Sequence, residues 1–119
     1  MRSLSTEASL RIRTVSPNFI CLFTAVVCAS DIIAIGLIKG LAEENLKVPY
    51  DISVTGYDDL DISKYVTPAL TTVKQDLDLI GEKALSTLLS MMMNRSSQRI
   101  VINGDIIVRK STTKVKERN

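Results

Sequence analysis

The chain contains no histidine and no tryptophan, and its net charge is +2 over 119 residues. Without histidine it lacks the commonest general base and the commonest metal ligand, which argues against hydrolase triads and most zinc sites. So small a net charge does not indicate a nucleic-acid surface. Aromatic residues make up 4% of the chain, so rings for stacking on bases or sugars are scarce. No metal and no cofactor is expected, and no nucleophile–base pair suggests an enzyme.

Both cysteines, Cys21 and Cys28, lie in the apolar run Phe19–Ala29. Their spacing does not match zinc ligands, so we expect two small buried hydrophobic residues in a reducing compartment. The run has eleven residues, whereas a membrane-spanning helix needs about 20 apolar residues. No signal peptide is evident. These features predict a cytoplasmic protein without a membrane partner.

The remaining composition, 45% hydrophobic and 24% charged, is typical of a globular domain. Patterning and turn residues predict α/β elements in the following order: a weakly helical Ser5–Val15, a strand Phe23–Cys28, a helix Ile32–Glu44, a strand Ile52–Tyr57, a strand Thr71–Lys74, a helix Asp76–Asn94, and strands Arg99–Asn103 and Ile106–Val108. The first strand lacks alternation, which favours a parallel sheet covered on both faces. Asn103-Gly104 favours a hairpin, although a loop or bulge between collinear strands fits as well. From Lys110 onward the chain is polar and basic, which predicts a disordered end.

The predicted helix Ile32–Glu44 has recognisable ends. Ser30 and Asp31 are residue types that cap helix N-termini, and Asn45 is suited to the left-handed residue after the C-terminus. The first two turns are apolar nearly all round. Such a helix is covered on more than one side, and a partner subunit is a natural cover for the second side.

Polar residues follow two consecutive strands. In open α/β sheets, ligands bind beyond the carboxyl ends of the strands. Those ends here are Cys28–Asp31 and Tyr57–Asp59, which should be neighbours in space. A carboxylate accepts several hydrogen bonds in fixed geometry, which suits vicinal sugar hydroxyls or ring N–H groups. We therefore expect Asp58 to contact a ligand.

Neighbouring residues are open to two interpretations. Asp31 is more simply a helix cap, and Asp59 is more simply solvated or structural. Gly56 within a strand predicts a close approach of another part of the chain, or a bend. Gln75 follows a strand end, so it could bind a polar ligand or merely begin the next helix.

Several segments in combination resemble one family. They are Thr24–Asp31, Ala34–Gly36, Gly40–Pro49, Asp51–Asp59, Tyr65–Gln75 and Val108–Thr112. In order and spacing they resemble the C-terminal part of the effector-binding domain of LacI/GalR-type transcriptional regulators, over roughly residues 22–113.

This resemblance implies a partial periplasmic-binding-protein-like (Rossmann-like) fold, a parallel sheet flanked by helices. Effector, a small sugar or nucleoside-like molecule, would lie between two subdomains. Operator DNA would be bound only through an N-terminal helix-turn-helix, a pattern that these 119 residues do not show. The chain would divide into a partial C-terminal subdomain at 1–75, a crossover helix at 76–98 that packs on the other subdomain in the family, return strands at 99–112 and a disordered tail at 113–119.

The family's functional positions map onto this sequence as implied roles. The effector-binding residues implied are Asp58, Ser30, Gln75 and Leu77, with Tyr57 beside them. The surface of a homodimer or higher oligomer would include Ile32, Ile35, Leu37, Ile38, Tyr65 and Val66. Two positions depart from the family: Ser30 replaces a commoner Asn and shortens the reach to ligand, and Leu77 replaces an aromatic residue found in some members.

Two other classes remain open from the residues. A receiver-type phospho-acceptor domain has a similar length and an acidic pair after a strand. In that class, however, the pair follows the first strand and another aspartate follows the third. A periplasmic sugar-binding protein of the same fold would need a secretion signal.

Overall fold

The computed structural model describes residues 23–93 and 99–115. The predicted helix Ser5–Val15 and Cys21 lie outside these ranges. Within them, no helix is both long and apolar enough to cross a bilayer.

The first described elements form a βαβ unit. Strand β1 (Ala25–Val27) is followed by helix α1 (Asp31–Glu43) and strand β2 (Ser53–Thr55). β1 and β2 pair in parallel, with Val26 opposite Val54. Thr55 then makes a parallel bridge to Thr71, at the start of the next strand. The predicted parallel α/β arrangement is confirmed for this part of the chain.

Helix α1 ends as the sequence predicts. Asn45 has a φ of 61°, and its N–H donates to the carbonyl of Ala42 at 3.1 Å. The next N–H, of Leu46, donates to the carbonyl of Leu41 at 2.9 Å. These two bonds form a Schellman motif, which satisfies carbonyls that a helix end would otherwise leave without partners.

The core lies between α1 and β2. Its buried members are Cys28, Ala34, Ile38, Leu41, Ile52, Val54 and Leu70. Burying a side chain such as Leu70 contributes about 2 kcal/mol to folding. The expected burial of Cys28 is confirmed. The expectation that β1 is covered on both faces is wrong, because Val27 is 82% exposed.

The second half of the chain contains a 3₁₀ helix (Asp61–Lys64), strand β3 (Thr72–Lys74), helix α2 (Leu77–Met92) and strand β4 (Asp105–Ile107). β3 and β4 are antiparallel. No strand forms over residues 99–103, so the predicted strand and its hairpin are wrong. Ile100 and Ile102 instead line a groove with Ile80 and Leu88 of α2. Gly104 is needed because a Cβ there would lie 2.9 Å from the carbonyl oxygen of Lys74.

The chain is not disordered at Lys110, contrary to the prediction. Ser111 is fully buried, and its hydroxyl donates to the carbonyl of Val54 at 2.6 Å. That hydroxyl also accepts the N–H of Thr71 at 2.8 Å. One serine therefore connects β2 to the residue before β3. The last four residues, 116–119, lie outside the described ranges.

Helix α2 has no buried residue. Its predicted apolar stripe is present, and Ile100 and Ile102 lie against part of it, but most of its large side chains are exposed. The exposed large side chains along it are Leu77, Leu85, Leu88, Leu89, Met91 and Met92. Within the described residues, the apolar face of α2 is therefore covered only in part, whereas an amphipathic helix normally buries this face.

Candidate functional site

The two predicted strand ends are joined by backbone hydrogen bonds. The N–H of Asp31 donates to the carbonyl of Tyr57 at 2.9 Å, and the N–H of Asp58 donates to the carbonyl of Val73 at 2.9 Å. The ends of β1, β2 and β3 thus meet at one edge, as the topology predicts. The Tyr57 side chain is 38% exposed at this edge.

Asp58 and Gln75 are brought into direct contact. The Gln75 side-chain amide donates to Asp58 Oδ1 at 2.9 Å. Asp58 is exposed and Gln75 is half-buried. Asp58 Oδ2 accepts no hydrogen bond from the described residues, and the Gln75 carbonyl oxygen is not used in this bond. The pair therefore offers acceptors to a polar molecule at this edge.

The other predicted effector residues lie close to this pair in sequence or topology. Ser30 is the N-cap of α1, and its hydroxyl oxygen accepts the N–H of Ile33 at 3.4 Å. That long hydrogen bond gives Ser30 a structural role beside any ligand role. Leu77, the first residue of α2, is 70% exposed.

Asp31 is a buried junction, and the expectation that it caps the helix is wrong. Its carboxylate is fully buried. Oδ2 accepts the N–H of Leu60 at 2.8 Å and the hydroxyl of Ser63 at 2.6 Å. Oδ1 accepts the hydroxyl of Thr72 at 2.5 Å. These bonds and the first turn of α1 replace the water that a buried carboxylate loses.

The predicted close approach at Gly56 is confirmed. A Cβ at this position would overlap Asp31 Oδ1 and would lie 3.1 Å from the Asp31 Cα. Gly56 therefore lets the Asp31 carboxylate reach the 3₁₀ helix and β3.

Asp59 has a structural partner that the sequence did not reveal. Arg109 Nη2 donates to Asp59 Oδ1 at 2.5 Å, and the two side chains are 14% and 11% exposed. Arg109 lies just before a segment predicted to be a solvated basic tail. Its partner is 50 residues away in sequence, so no local pattern could identify the pair.

The predicted dimer residues form a partly exposed apolar surface. Ile32 is 55% exposed and Tyr65 is 80% exposed, while Ile35, Leu37 and Val66 are half-buried. Ile38 departs from the prediction, because it is buried in the chain's own core and leaves little side chain for a partner.

A separate ion pair lies in the 3₁₀ helix beside this surface. Lys64 Nζ lies 2.9 Å from Asp61 Oδ1. The hydrogen bond from Lys64 holds the pKa of Asp61 below its usual value. Both groups face solvent, so the pair contributes little to stability.

Comparison with known proteins identifies the family. The model of the periplasmic binding protein-like domain matches residues 2–112. The HTH-type transcriptional repressor PurR of Pasteurella multocida is 38% identical over 90 residues, which are 74% of this chain and 27% of PurR. The chain thus spans about a quarter of the length of the curated relatives that it matches.

Two solved structures are also similar. The lac repressor dimer bound to operator and the anti-inducer ONPF has a TM-score of 0.71 and 30% identity, covering 92% of this chain and 37% of that one. A LacI family transcriptional regulator from Lactobacillus casei with bound sucrose has a TM-score of 0.67 and 28% identity, covering 92% of this chain and 41% of that one. The chain belongs to the periplasmic binding protein-like domain family and corresponds to part of the effector-binding domain of a LacI/GalR-type transcriptional regulator.

Proposed function

We propose that this chain is the effector-sensing and dimer-forming part of a LacI/GalR-type transcriptional repressor, and that Asp58 and Gln75 contact the effector. The observation that carries the proposal is the hydrogen bond between these two side chains at the carboxyl edge of the sheet. An exposed carboxylate oxygen beside a carbonyl oxygen suits a ligand with adjacent hydrogen-bond donors.

The effector is a small sugar or a nucleoside-like molecule. A sugar presents neighbouring hydroxyls, which donate to paired oxygen acceptors of this kind. Exposed Leu77 supplies an apolar contact beside them. Tyr57 supplies a ring at the same edge, and Ser30 a hydroxyl. The sucrose bound by the Lactobacillus casei regulator favours the sugar class.

The mechanism is linkage and requires no chemical step. An effector that binds one relative orientation of two subdomains more tightly shifts the population towards that orientation. Such a shift changes how DNA-binding heads elsewhere in the protein are spaced. The protein is accordingly a cytoplasmic regulator and not an enzyme, and it reaches operator DNA through another domain.

A second copy of the chain covers the apolar surface made by α1 and the segment after the 3₁₀ helix. Ile32 and Tyr65 are its most exposed members. Large exposed apolar patches are typical of interfaces, and the lac repressor in the similar structure is a dimer.

Nuclear magnetic resonance titration of the ¹⁵N-labelled chain tests the effector site. Sucrose and adenosine are added separately up to tens of millimolar, since one wall of a cleft binds weakly. We expect one of them to shift the signals of Asp58, Gln75 and Ser30, and Asp58→Asn to abolish the shifts. Glu43→Gln, an exposed carboxylate at the opposite end of α1 from Ser30, is the matched control and should leave them intact.

Shifts confined to other regions, or shifts that persist unchanged in Asp58→Asn, would contradict the site. An unchanged spectrum with both compounds would reject both ligand classes. Micromolar binding of either compound by calorimetry would contradict the proposal that this chain supplies only one wall of the effector cleft.

A further inference from the structure

The backbone of the Asp58-Asp59 turn has a conformation that is unfavourable without support from neighbouring residues. Asp58 has a φ of 109° and Asp59 a φ of 51°. Positive φ values are sparsely populated by residues with a side chain, and two in succession persist only when neighbouring structure fixes them. The position of the Asp58 carboxylate therefore depends on whatever holds this turn.

Arg109 makes the strongest of the contacts that fix this turn. Its guanidinium donates through Nη2 to Asp59 Oδ1 at 2.5 Å and through Nη1 to the carbonyl of Leu70 at 2.8 Å. Its backbone N–H donates to Thr71 Oγ1 at 2.9 Å. A rigid fork thus ties the turn to the residues that lead into β3. Because both charged side chains are largely buried, water competes weakly for the bond.

Thr72 makes a second contact that fixes the Asp58-Asp59 turn. Its hydroxyl oxygen accepts the N–H of Asp59 at 3.3 Å, and the same hydroxyl donates to Asp31 Oδ1 at 2.5 Å. Since the Asp31 carboxylate is itself fixed by Leu60 and Ser63, this second contact does not depend on Arg109. Loss of Arg109 therefore releases the side chain of Asp59 without unmaking the buried junction.

We infer that Arg109, acting through Asp59, is a positioning residue for the effector contact at Asp58. Its role in binding rests on the proposed function. Its role in placing the Asp58 carboxylate beside Gln75 does not, because that contact joins two side chains of the chain itself. Without the ion pair, the turn keeps only the 3.3 Å bond from the Asp59 N–H to Thr72 and the bond from the Asp58 N–H to the Val73 carbonyl, so the Asp58 carboxylate is less firmly placed and its contact with Gln75 is weakened.

The test compares Arg109→Met and Arg109→Lys with Lys64→Met as a matched control. Lys64 is a nearby cation whose pair with Asp61 is exposed. The readout is the Gln75 side-chain NH₂ signal of the labelled chain, which reports the bond to Asp58, together with hydrogen exchange at the Asp58 and Asp59 amides. Far-ultraviolet circular dichroism checks that each variant is folded.

In Arg109→Met we expect the Gln75 signal to move to that of a free amide. Exchange at the two amides should be on the order of tenfold faster, as for the loss of one hydrogen bond to a charged group. Arg109→Lys should fall between, because one ammonium group cannot reproduce the two-pronged contact. Lys64→Met should match the parent chain. A purely structural role would lower the unfolding midpoint and leave the Gln75 signal of the folded protein in place.

An unmoved Gln75 signal in folded Arg109→Met would overturn the inference, whatever the sugar titration shows. If that variant does not fold, an unmoved signal in Arg109→Lys has the same consequence. Failure of the proposed function looks different: the Gln75 signal responds to Arg109 substitution, but neither sucrose nor adenosine shifts it in the parent chain. When both ideas hold, Arg109→Met also raises the dissociation constant for the sugar, measured from the shift titration, about tenfold or more.

Discussion

Gly56 lies so close to Asp31 that a side chain at position 56 would occupy the space of the Asp31 carboxylate. Gly56→Ala should therefore destabilise the chain by about 2–3 kcal/mol, because neither the buried carboxylate nor the Leu70 methyl group 2.9 Å away can yield cheaply. Urea denaturation measures the difference.

Gly36→Ala is the control for this change. A Cβ at Gly36 would have no neighbour within 4 Å, and Ala favours a helix interior over Gly by about 0.5–1 kcal/mol. The control should raise the unfolding midpoint. Equal effects of the two substitutions would contradict the proposed crowding at Gly56.

Asp31→Asn should cost about 2–3 kcal/mol of unfolding free energy. The carboxylate accepts three hydrogen bonds, from Leu60, Ser63 and Thr72. An amide keeps only one acceptor oxygen, so even when that oxygen faces Leu60 and Ser63, its nitrogen cannot accept from the buried Thr72 hydroxyl, and the bonds that remain lose the carboxylate charge. Asp78→Asn, on the exposed first turn of α2, should change stability by no more than about 0.5 kcal/mol in the same assay.

Ile32→Glu should convert a dimer of this chain towards monomer, raising the dissociation constant about tenfold or more by placing a charge in an apolar contact. Analytical ultracentrifugation over a concentration series measures this change. Leu85→Glu is the matched substitution, since Leu85 on α2 is 58% exposed and Ile32 is 55% exposed. If Leu85→Glu dissociates the dimer and Ile32→Glu does not, α2 is the interface.

Cys28 should resist alkylation while the chain is folded. Burial raises the pKa of its thiol, so less thiolate is present at a given pH. In a Cys21→Ser background, iodoacetamide should react with Cys28 at least about tenfold more slowly in buffer than in urea. Equal rates would mean that the thiol is accessible.

The same pKa shift gives Cys28 a definite pH dependence. The folded chain holds the thiol proton more tightly than the unfolded chain does, so the contribution to stability is complete below the unfolded pKa. It is lost as pH rises through about 8.5 and beyond. Urea midpoints between neutral and alkaline pH should fall more steeply with Cys28 than with Cys28→Ala.

Features set by neighbouring residues could be predicted from the sequence. Asn45 ends α1 as expected, because a helix C-terminus is decided by the conformational preference of one residue and the bonds of the next two. The edge formed by Tyr57 and Asp58 was predictable as well, because parallel βαβ topology fixes where strand ends meet.

Contacts between segments that are distant in sequence could not be predicted from the sequence. Asp31 and Arg109 carry residue types that usually cap helices or face solvent, and their partners lie between 29 and 50 residues away in the chain. The mistaken strand at Arg99–Asn103 has the converse cause. Its β-branched residues have strand propensity, but Ile100 and Ile102 lie against α2 instead of a neighbouring strand.

The junction at Asp31 also bears on how this sequence can evolve. Leu60 contributes only a backbone group, but Gly56, Ser63 and Thr72 each contribute something that Asp31 requires: space in one case and a hydroxyl donor in the other two. After a substitution at Asp31, Gly56, Ser63 or Thr72, the other three residues no longer form the complete junction that favours them. Across descendants of this sequence, substitutions at positions 31, 56, 63 and 72 should therefore occur together, although these positions are not adjacent in the chain.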